Sequence, residues 1–433
     1  MLWPQTTERD ESSVLRFGGV AATELADRFG TPLYVFDEAT LRCRAREIKH
    51  AYARVYSRTR VLYAGKALLS IPIVRILHEE GLGLDVVSGG ELYAGLRAGV
   101  SPAAITFHGN NKSEQELREA IAAGVGLIAV DNHFELATLA HLTAELKTKV
   151  PVLLRLNPGV DVHTHDKIKT GVIDSKFGLP IWSGDAALAV ERTLAIPDLE
   201  LVGYHAHLGS QLFDADTMRV AMTVIVEFAA EMRDRHGFAP REISPGGGLG
   251  IAYGEGEAEA NFDAWAKAIA GSLIDACQRH QLPLPELAVE PGRTIVGPSA
   301  VALYRVGAIK EIPGVRRYVS VDGGMADNIR PTLYGARYTA DLANRAESGP
   351  TAPVTIAGKY CESGDLLIER IELPELVPGD LLAVPASGAY CLAMASNYNH
   401  ALRPAIVLVN DGEARLIRRR ETYEDLVATE VNL

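Results

Sequence analysis

Cysteine is scarce and dispersed in this chain. Cys43, Cys277, Cys361 and Cys391 show no CxxC spacing in 433 residues, which argues against a disulfide-stapled secreted scaffold and a zinc knuckle. Reduced thiols in a cytoplasmic protein are the expectation. Basic charge is also short: 43 Lys and Arg face 55 Asp and Glu, for a net charge of −12. Such a surface repels a phosphate backbone or an anionic membrane, so neither is expected as a partner. No apolar run approaches the ~20 residues needed to cross a bilayer, and the opening MLWPQTTERDESS lacks the apolar core of a signal peptide. Internal repeats and low-complexity tracts are absent. What remains, 47% hydrophobic and 23% charged residues, is a globular composition with length for a large barrel plus an appendage.

Short apolar runs alternate with helical stretches from about residue 40 to residue 292, the signature of repeated βα units. Eight candidate strands stand at 61–67 (VLYAGKA), 83–88 (GLDVVS), 105–109 (ITFHG), 127–131 (LIAVD), 152–157 (VLLRLN), 201–209 (LVGYHAHLG), 242–247 (EISPGG) and 287–292 (LAVEPG). Ser113 with Glu116 forms a capping box before a helix that should stop at Gly124. Eight parallel strands in about 250 residues predict a (β/α)8 barrel, whose chemistry sits at the C-terminal strand ends. Lys66, Asp85, His108, Asp131, Arg155, His205, His207, Gly246 to Gly248 and Glu290 all fall at those ends. Any one of them alone reads as a solvated loop end, but a barrel core gives no packing reason for such a ring. From Ser299 onward short strand patterns and turns predict a β-rich second domain, joined by the N-terminal run PLYVFD. The expected division is a barrel over 39–296 and a β-rich domain from 1–38 and 297–433.

Loops after the seventh and eighth strands of such barrels often bind phosphate. Here they read Gly246, Gly247, Gly248, Leu249, Gly250 and Glu290, Pro291, Gly292, Arg293. Glycines let backbone N–H groups approach an anion, and Arg293 adds a fork of donors. A phosphate site together with a strand-end lysine points to pyridoxal 5'-phosphate, whose aldehyde forms a Schiff base with an amine and whose ring acts as an electron sink. Lys66 is then the lysine, Glu290 the carboxylate that keeps the pyridine nitrogen protonated, His207 a plate on the ring face, and Ser210 a neighbour of the phosphate.

The motifs YAGKAL (63–68), HAHLGSQ (205–211), GGGLGI (246–251), EPGR (290–293), DNIRPTLYGA (327–336), CESGD (361–365) and GAYCLAMASNYN (388–399) resemble, in order and through nearly the whole chain, those of the diaminopimelate decarboxylases. This family of pyridoxal phosphate enzymes has an alanine-racemase-like barrel. The first five motifs are shared in looser form with ornithine and arginine decarboxylases, whereas CESGD with IRPxLYxA is much more specific to the diaminopimelate branch. The resemblance implies decarboxylation of meso-2,6-diaminopimelate to L-lysine and CO2, the last step of lysine biosynthesis. It implies that Lys66, Asp85, His207, Ser210, Gly246, Gly247, Gly248, Glu290, Gly292, Arg293 and Tyr390 hold the cofactor. It further implies that Arg293, Arg330, Tyr334, Glu362 and Tyr390 contact substrate, and that Cys361 donates a proton across the boundary of a homodimer with shared sites. Leu68 stands where an Asn is usual, and His400 and Leu402 replace a commonly basic stretch; neither departure touches the motifs that carry the chemistry.

Three other readings compete. HxH pairs at His205 with His207 and at His163 with His165 suit a zinc hydrolase, but such a site needs further ligands on other strands, and the last strand offers Glu290 inside EPGR. DVHTHDKIKTG is polar throughout, so His163 and His165 read as a solvated loop, and no metal is expected. A regulatory relative without activity would have lost Lys66 or Cys361, and both are present. The runner-up within the enzymes is a related decarboxylase of ornithine, arginine or another biosynthetic amino acid. Cys43, Cys277 and Cys391 read as small core residues.

Overall fold

The computed structural model describes residues 1–160, 174–345 and 349–431; His163 and His165 lie outside them. It divides into two compact units, one of residues 45–250 and 260–292, the other of residues 1–44, 251–259 and 293 onward.

In the first unit, the strands Thr59–Ala64, Gly83–Val86, Ile105–Phe107, Leu127–Val130, Val150–Asn157, Leu199–His205, Glu242–Ser244 and Glu286–Val289 pair in parallel, each with the next. The last returns to the first, with Leu287 opposite Thr59 and Val289 opposite Val61. The sheet is thus a closed eight-stranded barrel, the (β/α)8 architecture expected. A two-residue strand, Leu179–Pro180, adds to the outer end of Val150–Asn157. A strand covered on both faces needs no alternation of polar residues, and Ile105–Phe107 and Leu127–Val130 are buried at every position. Helix Glu114–Ala123 carries the Ser113 and Glu116 capping box and ends at a left-handed Gly124. Such a cap contributes about 1 kcal/mol.

Seven of the eight strands end earlier than the apolar runs suggest, and Val150–Asn157 ends where its run does. Lys66 lies in a 3-10 turn, Gly65–Ala67, and His108, Asp131, His207 and Glu290 follow the last residues of their strands, while Asp85, Arg155 and His205 remain within theirs. The ladder stops where the backbone must turn across the barrel mouth. A Cβ at Gly65 would lie 2.9 Å from the carbonyl oxygen of Asp85, and Gly246 adopts φ +79°, a conformation that favours glycine.

The second unit is β-rich. Its main sheet runs Leu366–Leu373, Ala352–Ala357, Arg316–Val321, Ala300–Ile312, Leu33–Asp37, Ala405–Asn410, Glu413–Arg418, with Leu381–Val384 also paired to Ala300–Ile312. The N-terminal strand Leu33–Asp37 is central, antiparallel to Ala300–Ile312 and parallel to Ala405–Asn410. All five of its residues are buried, so the distant N- and C-terminal segments share one core of Leu33, Val35, Val301, Leu303, Val407 and Val409. No helix among the described residues is long and apolar enough to cross a membrane.

Candidate active site

The mouth of the barrel collects buried charge. Glu290 follows the eighth strand; one of its oxygens accepts from Ser244 Oγ at 2.8 Å and the other lies 3.2 Å from His205 Nε2. His108 Nε2 stands 3.6 Å from Glu290 and 3.7 Å from Asp85, and the His108 and His205 rings are 4.5 Å apart. Burial opposes the charge on Glu290, but the imidazoles of His205 and His108 outweigh it and hold the carboxyl well below its usual range. A neutral imidazole suffices, because its Nε2–H can donate to the carboxylate; burial pushes His108 and His207 toward the neutral form. Asp85 moves the opposite way, raised by burial and then by the charge of Glu290. Two carboxyls in one dry site cannot both ionise cheaply, and Glu290, with two good donors, is the one that carries the charge.

Around this pair the expected residues take defined places. Lys66 is half-buried beyond the first strand, and its ammonium opposes the upward shift of Asp85. His207 Nδ1 faces the N–H of Gly247 at 3.4 Å, so the two imidazoles of HxH serve different neighbours rather than one shared point. A Cβ at Gly247 would lie 2.2 Å from the carbonyl oxygen of Glu290, and Gly248 has φ +119°. A Cβ at Gly292 would lie 3.0 Å from Ala67 Cβ and 3.1 Å from Ala64 Cβ. Ser210 is exposed just beyond this loop. Donor atoms of His108, His205 and Glu290 fall within 4.8 Å of one another, the third ligand that the zinc reading lacked, but both Glu290 oxygens are already engaged by Ser244 and His205.

In the β-rich unit a second cluster surrounds two arginines. Arg330, 6% exposed, bonds the Tyr338 hydroxyl and lies 4.5 Å from the Tyr253 ring centroid and 5.4 Å from that of Tyr338. Arg293 donates to the Tyr253 hydroxyl at 2.5 Å and stacks 4.7 Å from the Tyr390 ring. Tyr390 holds a left-handed φ of 61°. Tyr338 also meets Cys391 Sγ at 3.4 Å, so Cys391 is part of this polar cluster and not packing alone. Tyr253 and Tyr338 were not foreseen from sequence; both are aromatics in segments whose register only the fold supplies. Cys361, Glu362 and Tyr334, by contrast, are exposed, Tyr334 at 63%.

Of the sequence departures, Leu68 is 2% exposed and its carbonyl accepts from the Tyr63 hydroxyl at 2.6 Å; an apolar side chain fits that buried place. His400 is exposed.

The mouth fits pyridoxal phosphate. It offers an amine, a buried carboxylate kept ionised, an imidazole beside it, and a glycine cradle that a single Cβ would fill. Asp85 Oδ1 and His108 Nε2 are also buried without a hydrogen-bond partner among the described residues, polar atoms left for a ligand to satisfy.

A model of the pyridoxal binding domain of pyridoxal-dependent decarboxylases matches residues 38–297. The diaminopimelate decarboxylase of Bacillus subtilis is 46% identical, covering 98% of this chain and 96% of its own, and that of Mycobacterium bovis is 44% identical over 99% and 98%. The crystal structure of diaminopimelate decarboxylase from M. jannaschii in complex with L-lysine superposes with a TM-score of 0.94, at 35% identity, over 100% of this chain and 99% of that one. The chain belongs to the pyridoxal-dependent decarboxylases and, within them, to the diaminopimelate decarboxylase family.

Proposed function

We propose that the protein decarboxylates meso-2,6-diaminopimelate to L-lysine and carbon dioxide in a barrel over 39–296, complemented by a β-rich domain of 1–38 and 297–433. The pyridoxal-binding match over 38–297 supports that division. The cofactor, when bound, supplies an aldehyde for amines and a ring that withdraws the electron pair left as carbon dioxide departs. Lys66 provides the anchoring amine. Glu290, kept anionic by Ser244 and His205, holds a proton on the pyridine nitrogen, and His207 covers the ring face. The glycine cradle of Gly246 to Gly248 and Gly292, with Ser210, Arg293 and Tyr390, takes the phosphate end, and Asp85 stays neutral beside Lys66. Cys361 gives the proton that replaces the lost carboxylate on the α carbon. Its need for a free thiol suits a reducing compartment, the cytoplasm.

The observation that carries the substrate assignment is Arg330. It is a buried cation with no ion pair to a carboxylate among the described residues, held instead by two tyrosines. A buried charge without a counter-ion is costly, and an arriving carboxylate completes the site through the planar guanidinium fork. The distal end of meso-diaminopimelate carries both a carboxylate and an ammonium. Arg330 takes the first, with Arg293 and Tyr334 as further donors, and Glu362 takes the second. Ornithine has no distal carboxylate, and sites built to pair a polar group discriminate by about 10⁴ against an analogue lacking it. Purified holoenzyme should release carbon dioxide from meso-diaminopimelate and scarcely from ornithine or arginine. Arg330→Ala should lower kcat/KM by about 10³ or more while the cofactor absorbance stays at the parent level. Equal rates on ornithine, or parent activity in Arg330→Ala, would overturn the assignment.

A further inference from the structure

Cys361 sits in a loop whose base is pinned by Asp365. That carboxylate accepts from the backbone N–H of Met325 at 2.7 Å and of Tyr360 at 2.8 Å, and the Asp365 carbonyl accepts from Gly358 N–H at 2.9 Å. At the tip, both backbone polar groups of Cys361 are held by two consecutive residues far along the chain. Its N–H donates to Asn399 Oδ1 at 2.8 Å, and its carbonyl accepts from the Tyr398 hydroxyl at 3.2 Å. The backbone donor requires an oxygen, which fixes the orientation of the Asn399 amide. Asn399 reaches this place from a left-handed conformation, φ 53° and ψ 28°, which asparagine tolerates better than other side chains. The Tyr398 ring also stands 6.4 Å from that of Tyr360, edge-on. No motif role is left over for this stretch once the cofactor and substrate residues are assigned, and Tyr398, Asn399 and Cys361 are all exposed, so core packing does not explain the arrangement.

We propose that Tyr398 and Asn399 are positioning residues that clamp the backbone of Cys361 from both sides, fixing where its thiol delivers a proton. This rests on the reading of Cys361 as the proton source. Delivery from a fixed thiol reaches one face of the α carbon, whereas a loosened loop admits water to either face. The clamp therefore sets the configuration at the new C–H bond and not the affinity for substrate.

Three holoenzyme variants test it. Asn399→Gly keeps the left-handed backbone and deletes the acceptor; Asn399→Asp keeps both; Tyr398→Phe removes only the donor. Alkylation of Cys361 by iodoacetamide, followed by peptide mass, should accelerate about fivefold in Asn399→Gly, the factor of one net hydrogen bond. Melting temperature, cofactor absorbance and KM should stay at parent values. Lysine formed from meso-diaminopimelate in heavy water should carry deuterium in one configuration with the parent enzyme and with Asn399→Asp, and in mixed configuration with Asn399→Gly and, less, Tyr398→Phe. If Asn399→Gly does not fold, Tyr398→Phe decides by the same two readouts. Parent alkylation rates and a single configuration in the folded variants would overturn the clamp. If the parent protein releases no carbon dioxide from meso-diaminopimelate, the functional reading fails, while the alkylation rates still decide whether the loop is clamped.

Discussion

Asp327 shows how one side chain holds the segment that ends in Arg330. It is wholly buried in the β-rich unit, where its carboxylate accepts from the Tyr304 hydroxyl at 2.5 Å, from the Tyr34 hydroxyl at 3.1 Å and from the N–H of Gly324 at 2.8 Å. Burial dominates these three donors and pushes the carboxyl up to about 6 from its ordinary 3.8. As pH rises from about 4 to about 6 the unfolded chain gives up this proton first, so the group's contribution to stability is lost over that window, by about 3 kcal/mol for a shift of about two units. Asp327→Asn removes the titration while keeping an acceptor. The variant should be less stable than the parent, with the difference shrinking as pH rises through that window in urea unfolding. A difference independent of pH would show that Asp327 does not titrate there.

At the level of elements, a buried ion pair ties the loop after the third barrel strand to the helix His133–Leu146. Lys112 Nζ lies 2.7 Å from Glu135, with both side chains almost fully buried, and donates to the carbonyls of Gly109 and Ala129 at 2.7 and 2.8 Å. Removing one partner from such a pair strands the other charge and costs about 3–5 kcal/mol. Glu135→Gln should lose about that much in urea unfolding, and Lys112→Met combined with Glu135→Leu should recover a large part of it. A small loss from Glu135→Gln would mean that the pair is solvated. These elements differ in how far sequence announces them. The barrel strands, the Ser113 cap and the Lys66, Glu290 and triple-glycine ends were legible because period, capping and strand-end polarity are local signals. The Lys112 and Glu135 pair, the Tyr253 bridge between Arg293 and Arg330, and the Asn399 contact to Cys361 were not. Each depends on residues brought together from separate parts of the chain, and a lone tyrosine or asparagine carries no mark of its partner. The strand ends were overrun for a related reason: an apolar run continues through a turn when the turn itself is buried, as Ala67 and Leu68 are.

For the whole molecule, the exposure of Cys361 and Glu362, proposed above as proton donor and substrate contact, bears on assembly. A proton donor must meet the reacting carbon in a site closed to water, which a residue standing in solvent does not do alone. In the homodimer that the sequence resemblance implies, each Cys361 would serve the Lys66 of the partner, and the twofold symmetry would repeat the arrangement. Neither Lys66→Ala nor Cys361→Ala should be active by itself. In a mixed dimer, however, one site receives both mutations and the other receives neither. Random exchange makes half the dimers mixed, so the mixture should recover about a quarter of the parent activity. The experiment needs the two variants separately tagged, exchange demonstrated by co-purification, and carbon dioxide release measured before and after. Recovery near that fraction would establish sites built from two chains. Demonstrated exchange with no recovery would place Lys66 and Cys361 of one active site on the same chain.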